Sequence, residues 1–447
     1  MKVSDFSMFK RLLKNFNETE RSWIMYDVAN SAYTLTFVTV FFPIMFKQVA
    51  LESGVESASA TVILLKATFW YALIVAILSP LLGNLADYKG HKKLFFKLFL
   101  FTGLIFGVLL SLPMIPWQVY LGIYIIATVG YSGANIFYDS FLTDVTDDEH
   151  YDVVSANGFA WGYIGSTIPF ILGLLVFAAQ KFGVIDMQAK YAIAIAFFIS
   201  IIWWGFYSLP IIKNVDQRHY IEKPKKWFII GFINVFKTIV SLFKDPKVLV
   251  FLFGYFLYID AVGTIIKSAV NIGHELGVTD DITLVIIVLL VQFIAFPCAL
   301  IFGKLAKKIG DVTMLSVGII IYIIICTFGF FIDSRTDLMI FAGLVGTAQG
   351  GVQAVSRSYF GKLIPKERSG DYFGFFNIFG KFAAILGPII MAYTIDYYSF
   401  NRGMDSSESV KYGILALVPL LVIGLILLLI SSKIKSRKEN LKDLDLL

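Results

Sequence analysis

Apolar residues run in long unbroken stretches along almost the whole chain, too long for the alternation of a half-buried strand or the one-sided stripe of a soluble helix. A helix needs roughly 20 apolar residues to cross about 30 Å of hydrocarbon. Stretches of that length predict crossings at 24–48, 61–86, 94–113, 117–143, 152–180, 188–210, 248–271, 282–305, 313–332, 338–362, 372–395 and 411–432. The predicted class is all-α integral membrane, with about twelve transmembrane helices. Its organisation is a six-helix bundle with an amphipathic N-terminus over 1–210, a cytoplasmic linker over 211–247, and a second six-helix bundle with a short basic tail over 248–447.

Two segments depart from this pattern. The first twenty residues lack the apolar core of a secretory signal and read as a basic amphipathic helix, with Phe6, Phe9, Leu13 and Phe16 on one side and Lys10, Arg11 and Lys14 near the other. The stretch from Trp227 to Phe243 is apolar but short, and Lys223, Lys225, Lys226, Lys237, Lys244 and Lys247 lie around it. It reads as an interfacial helix attracted to an anionic leaflet.

Charge sets the orientation. An even number of crossings puts both termini on one side, and the loops of that side hold Lys89, Lys92, Lys93, Lys304, Lys307, Lys308, Lys362, Lys366 and Arg368. Those loops are expected in the cytoplasm. Lys181, Arg335 and Arg402 fall on the other side, so the bias is incomplete. The expected place is the inner (plasma) membrane of the cell, multi-pass, with both termini cytoplasmic.

The halves repeat one another. Gly83-Asn-Leu-Ala-Asp87-Tyr-Lys-Gly90 returns as Gly303-Lys-Leu-Ala-Lys307-Lys-Ile-Gly310, and Ser140 and Gly162 correspond at nearly the same offset to Ser358 and Gly380. Parallel six-helix repeats with a site near mid-membrane are an established transporter plan.

Polar residues inside apolar runs mark the candidate site, because an ionisable group at the bilayer centre costs roughly 2.5–3.5 kcal/mol on insertion scales. Asp27, Asn30, Ser31 and Thr34 share one face of the first helix, with Tyr33 beside them; Ser132, Asn135 and Asp139 share a face of the fourth. Asp260, Thr264, Lys267 and Asn271 do so in the seventh, Gln349, Gln353 and Arg357 in the tenth, and Asn377 and Lys381 in the eleventh. Such stripes face other helices or a wet cavity. Two blander readings stay open: Asp27 as a complement to a helix dipole, and Asp260 with Lys267 as a structural bridge. Lys66 and Asp396 are near enough to helix ends to snorkel.

Composition narrows the chemistry. The chain is 57% hydrophobic and 16% charged over 447 residues, and its net +6 is spread through alternate loops instead of forming a nucleic-acid-binding face. Cys298 and Cys326 lie in apolar runs and make neither a disulfide framework nor a metal site. The acidic loop from Asp144 to Asp152 lacks the spacing and central glycine of a calcium loop and reads as pairing with basic neighbours. The histidines, His91, His150, His219 and His274, fall in loops. Zinc-protease, nucleophile-elbow and P-loop motifs are missing from the sequence. No enzymatic activity, cofactor or metal is expected.

Gly83-x-Leu85-Ala86-Asp87-x-x-Gly90-x-Lys92-Lys93 resembles the hallmark motif of the major facilitator superfamily, and Gly303 to Gly310 its degenerate second copy, with Lys307 in place of the acidic residue. Trp23-Ile-Met-Tyr26-Asp27-Val-Ala29-Asn30-Ser31-Ala32-Tyr33 resembles the opening signature of the vacuole-effluxer-like branch, which includes fungal vacuolar amino-acid exporters. Asn135-x-Phe137-Tyr138-Asp139-Ser140, Gly350-Gly351-x-Gln353-Ala354-x-Ser356-Arg357-Ser358, Leu363-Ile364-Pro365 and Gly374-Phe375-Phe376 are similar to its later signatures. Asp371 stands where the acidic residue is usually longer.

The resemblance implies two pseudo-symmetric six-helix bundles, efflux of amino acids or similar metabolites by alternating access, and a conformational latch at Gly83, Asp87, Gly90 and Lys92. The predicted substrate or proton cavity is Asp27, Asn30, Tyr33, Asn135, Asp139, Asp260, Lys267, Gln353, Arg357 and Lys381. A zwitterion needs both signs, with Arg357 or Lys381 for a carboxylate and Asp27 or Asp139 for an ammonium. The partners are a small-molecule substrate, a proton if transport is coupled, and the lipid bilayer, with no nucleic acid; the sequence leaves oligomeric state open and is compatible with a monomer. An exporter of lipid or amphipathic drugs is the alternative on the same fold. A receptor or membrane-embedded enzyme is the alternative of another class.

Overall fold

The computed structural model describes residues 13–112, 116–275, 281–382 and 386–435, without the side chains of 57, 58, 61, 62, 65, 228, 229, 232, 267–275, 281–286, 381, 382 and 406. The described residues are almost wholly helical; the one extended pairing among them is a two-residue bridge between Tyr88 and Ile221.

The first helix, α1, runs Glu18–Glu52. It starts six residues earlier than the apolar run because Asn17 and Glu20 form a capping box, each side chain bonding the other's backbone N–H. Leu13 to Phe16 make a turn before it, with Phe16 N–H bonded to Leu13 O at 3.1 Å, so the expected amphipathic helix does not reach these residues. Phe6, Phe9, Lys10 and Arg11 lie outside the described residues. Within α1 the stretch Thr34–Phe41 is a π-helix. Thr39 Oγ1 donates to Thr34 O, five residues back, and Pro43, which has no N–H to give, sits in the first turn of the α-helical stretch that follows.

The others follow in order: α2 Ser57–Ala86, α3 His91–Leu109, α4 Trp117–Ser140, α5 Tyr151–Lys181, α6 Ala189–Asn214, α7 Trp227–Phe243, α8 Pro246–Glu275, α9 Asp281–Ile309, α10 Asp311–Gly329, α11 Arg335–Leu363, α12 Ser369–Phe382, α13 Leu386–Asp396, α14 Ser406–Leu415 and α15 Val418–Lys433. Ten stretches among the described residues are long and apolar enough to cross a membrane. Helix α3 spans 19 residues and carries Lys92, Lys93 and Lys97 in its first two turns, and α12 and α13 are the shorter helices on either side of residues 383–385.

Helix faces are sorted for lipid. In α3, Phe96, Leu100, Gly103 and Gly107 are buried, while Leu94, Leu98, Phe101, Ile105 and Val108 are exposed on the opposite stripe. Close crossings use small residues: a Cβ on Gly130 of α4 would stand 2.4 Å from the Gly103 nitrogen of α3.

The chain divides into two compact units, and neither is a simple half of the sequence. One holds Met1–Asp147, Trp161–Gly231 and Lys366–Gly374; the other holds Asp148–Ala160, Phe232–Pro365 and Phe375–Leu447. The first turns of α5 and of α12 are thus each counted with helices from the opposite half of the sequence. At both places the repeated glycine lies against the opposite-half helix start. On α2, a Cβ at Gly83 would lie 2.3 Å from Gly370 O at the start of α12; on α9, a Cβ at Gly303 would lie 2.3 Å from the Ala156 Cβ and 2.8 Å from Asp152 O at the start of α5.

Candidate functional site

In the first unit the polar stripes of α1 and α4 meet. Asn30 Nδ2 donates to Asn135 Oδ1 at 3.0 Å, and Thr34 Oγ1 lies 2.6 Å from the Tyr131 hydroxyl. Asp27 stands one turn before Asn30 on α1 and Asp139 one turn after Asn135 on α4, near enough to Tyr26 and Tyr131 to act electrostatically on their hydroxyls. Asp27 and Asn30 are nearly buried, while Asn135, Asp139 and Tyr131 keep partial exposure. Helix α5 packs closely behind, since a Cβ on Gly162 would stand 2.6 Å from Ser31 Oγ. The register is set one turn down by Trp23, whose indole N–H donates to Tyr138 O at 2.9 Å with the rings stacked.

Tyr33 belongs to packing. Its ring stacks on Phe37 and Tyr131, its hydroxyl meets Thr128 Oγ1 at 3.0 Å, and it is wholly buried. Tyr131 is the aromatic that sequence reasoning passed over, although it continues the Asn135 and Asp139 stripe one turn back.

In the second unit Asp260 is fully buried and its carboxylate accepts the backbone N–H of Gly387, in the first turn of α13. Thr264 Oγ1 packs where a Gly387 side chain would be, so α8 and α13 cross at contact. Gln353 is half-buried on α11. The side chains of Lys267 and Lys381 lie outside the described residues.

Arg357, predicted to line the cavity, is bound elsewhere. Its Nε donates to Ser155 Oγ at 2.9 Å, its Nη2 to Ser155 O at 3.1 Å, and its guanidinium stands 4.3 Å over the Phe159 ring. These partners are the opening turns of α5. Close by, Asp152 accepts from Ser358 Oγ and from Lys362 Nζ, at 2.7 and 2.6 Å, and Lys362 also pairs with Asp311 at 2.9 Å. Together they form one clasp, inside the second unit.

The other clasp lies inside the first unit. Gly90, with φ +75°, lets the chain turn sharply from α2 into α3. That turn leaves Asp87 at the N-terminus of α12, where its two oxygens accept Gly370 N–H at 2.7 Å and Asp371 N–H at 3.0 Å. Lys92, fully buried, donates to Asp144 at 2.6 Å and to Ser369 Oγ at 2.8 Å. Burial pushes the Asp87 carboxyl well above the ordinary carboxylate range; Lys92 draws it back, Asp371 pushes it up again, and the two N–H groups draw it down.

A strap from the linker closes over the same turn. Gln217 Nε2 donates to Ala86 O and Asp87 O, Ile221 N–H to Asp87 O, and the Arg218 and His219 N–H groups both reach Asp144. Asp144 and Asp152, at the two ends of the acidic loop, are therefore buried clasp residues. In the second copy of the motif Lys307 is exposed and caps no helix start among the described residues; the acid of that clasp, Asp152, sits on α5 itself.

Comparison with known proteins agrees with this architecture. A family model described as vacuole effluxer Atg22 like matches residues 17–151 and 143–441. An uncharacterized MFS-type transporter, YxiO of Bacillus subtilis, is 42% identical across 93% of this chain and 95% of its own length. Autophagy-related protein 22 of Vanderwaltozyma polyspora is 21% identical across 95% of this chain and 92% of its own. Among solved structures, the major facilitator proton:xylose symporter XylE superposes with a TM-score of 0.71 at 12% identity, over 94% of this chain and 97% of that one.

Proposed function

The chain belongs to the vacuole effluxer Atg22-like family and is a membrane transporter of the major facilitator type, and from that footing we propose that it exports small amine-bearing metabolites, amino acids among them, by alternating access. The observation that carries this reading is the meeting of Asp27, Asn30, Asn135 and Asp139 around the Tyr131 hydroxyl. Two carboxylates supply the charge an ammonium needs inside a membrane, the amides supply directed hydrogen bonds, and the aromatic ring supplies a π face. Efflux follows the description of the family. A proton is the driving ion we assign, as the symporter neighbour supports; one charge moved through 100 mV releases about 2.3 kcal/mol, enough for roughly a fifty-fold gradient.

The moving parts are the six-helix halves 1–210 and 248–447, in the cell membrane with both termini cytoplasmic. The two clasps hold the cytoplasmic ends, so Arg357 acts in gating, as Gly83, Asp87, Gly90 and Lys92 do. Both clasps release once in each cycle.

Ligand-induced thermal stabilisation of the purified protein tests the site. Amino acids with a free ammonium raise Tm in a saturable way, N-acetylated versions do not, and Asp139→Asn abolishes the rise while keeping the unliganded Tm. Equal stabilisation by acetylated and free forms would remove the ammonium from the reading. Stabilisation by amphipathic cations alone would transfer the site to drug-like substrates.

A further inference from the structure

Among the described side chains of α7, one face is covered by protein and the opposite, apolar face is not. Gly231, Thr238 and Leu242 fall within a narrow stripe and are buried, with Gly231 set so close to Leu85 that a Cβ would stand 2.4 Å from it. Roughly opposite on the helical wheel lie Ile233, Phe236, Ile239, Val240 and Phe243, between 36% and 69% exposed. Five large apolar side chains on one uncovered stripe are too many for a face in water.

The helix is short for a crossing and interrupted by charge. It has 17 residues, about 26 Å at 1.5 Å each, and Lys237 stands exposed in its middle. Its N-terminus is fastened beside the turn between α2 and α3: the Trp227 ring lies edge-on to His91 at 5.1 Å and beneath Lys223 at 4.3 Å. Its C-terminus is followed within three residues by α8. The loop charges lead the sequence to expect the end of α6 and the start of α8 on the cytoplasmic side, which leaves α7 to return along that surface. Lys225 and Lys226 at its start, Lys237 in its middle and Lys244 at its end are all exposed.

We propose that α7 lies in the plane of the cytoplasmic leaflet, its stripe from Ile233 to Phe243 among the acyl chains and its lysines on anionic phospholipid head groups. The charge of the lysine set selects the lipid, and the apolar stripe sets the depth. The proposal does not depend on which solute is carried, and its test needs no transport.

The experiment uses the full-length protein on a Cys298→Ala, Cys326→Ala background, with single cysteines introduced as Phe236→Cys, Val240→Cys or, in the exposed strap, Glu222→Cys. Each is labelled with an environment-sensitive fluorophore and reconstituted in phosphatidylcholine vesicles with and without phosphatidylglycerol. Brominated acyl chains should quench the labels at 236 and 240 severalfold more than the label at 222, with the larger quenching in phosphatidylglycerol. Replacing Lys225, Lys226, Lys237 and Lys244 by Gln should bring the phosphatidylglycerol value down to the phosphatidylcholine value. Aqueous iodide quenching 236 and 240 as strongly as 222 would overturn the docking. Quenching by bromolipid that ignores both phosphatidylglycerol and the lysines would overturn the anionic selection. Disulfide-linked dimers through position 236 would put a second copy on the face and overturn the lipid as its occupant.

Discussion

Lys92 and Asp144 are both fully removed from solvent and lie 2.6 Å apart. Burying two charges is costly, and breaking such a pair from one side leaves a charge with no compensation, at about 3–5 kcal/mol. Asp144 has more support, from the Arg218 and His219 N–H groups and the His219 ring, so removing Lys92 should hurt less than removing Asp144. Thermal unfolding of Lys92→Met, Asp144→Leu and the double variant measures this, and the double should cost clearly less than the sum of the singles. Additive losses would show that the two do not act as a pair. The family resemblance put Lys92 in the latch, and the acidic loop holding Asp144 read as pairing with basic neighbours, but the sequence did not disclose that the two are partners; only the packing of the linker strap and the start of α12 takes them out of water. Arg357 misled for a related reason. It extends the Gln349 and Gln353 stripe by helical spacing, yet α11 ends six residues later, at the level where α5 begins.

At the scale of elements, the crossings were readable because length and apolarity are local properties of the chain. The start of α1 was not, because a capping box outweighs a run of polar residues after it. The π-helical stretch Thr34–Phe41 was also hidden, since a change from four- to five-residue hydrogen bonding alters neither length nor composition. The repeated glycine motif was visible in the sequence, and its purpose appears only where each glycine meets another helix start. Gly83 is the sharper case, because its neighbour is backbone that cannot swing aside. Gly83→Ala should therefore loosen the first clasp and lower transport about tenfold or more, a loss of at least 1.4 kcal/mol in rate terms. Gly122→Ala, where a Cβ meets nothing within 4 Å, should leave transport unchanged. Equal activity in both variants would contradict the close approach of α12 to α2.

For the whole molecule, fold and family were legible far beyond the site, because membrane architecture is written in periodicity while a cavity depends on a few polar groups. Asp27, Asn30, Asn135 and Asp139 were grouped by their spacing within single helices, and the structure bonds Asn30 to Asn135 beside Tyr131. The other half of the predicted cavity gave Asp260 to a helix contact and Arg357 to a clasp. The proposed function therefore places the amine at the acidic group of the first unit during transport. Uptake of labelled amino acids into proteoliposomes, with and without an imposed pH gradient, tests this most directly, with the wild-type protein beside Asp139→Asn. Saturable uptake that responds to the gradient and falls at least a hundredfold in Asp139→Asn, about 2.7 kcal/mol at 1.36 kcal/mol per tenfold, is the predicted result. Undiminished uptake in Asp139→Asn, or no uptake of any amine by the folded wild-type protein, would contradict it.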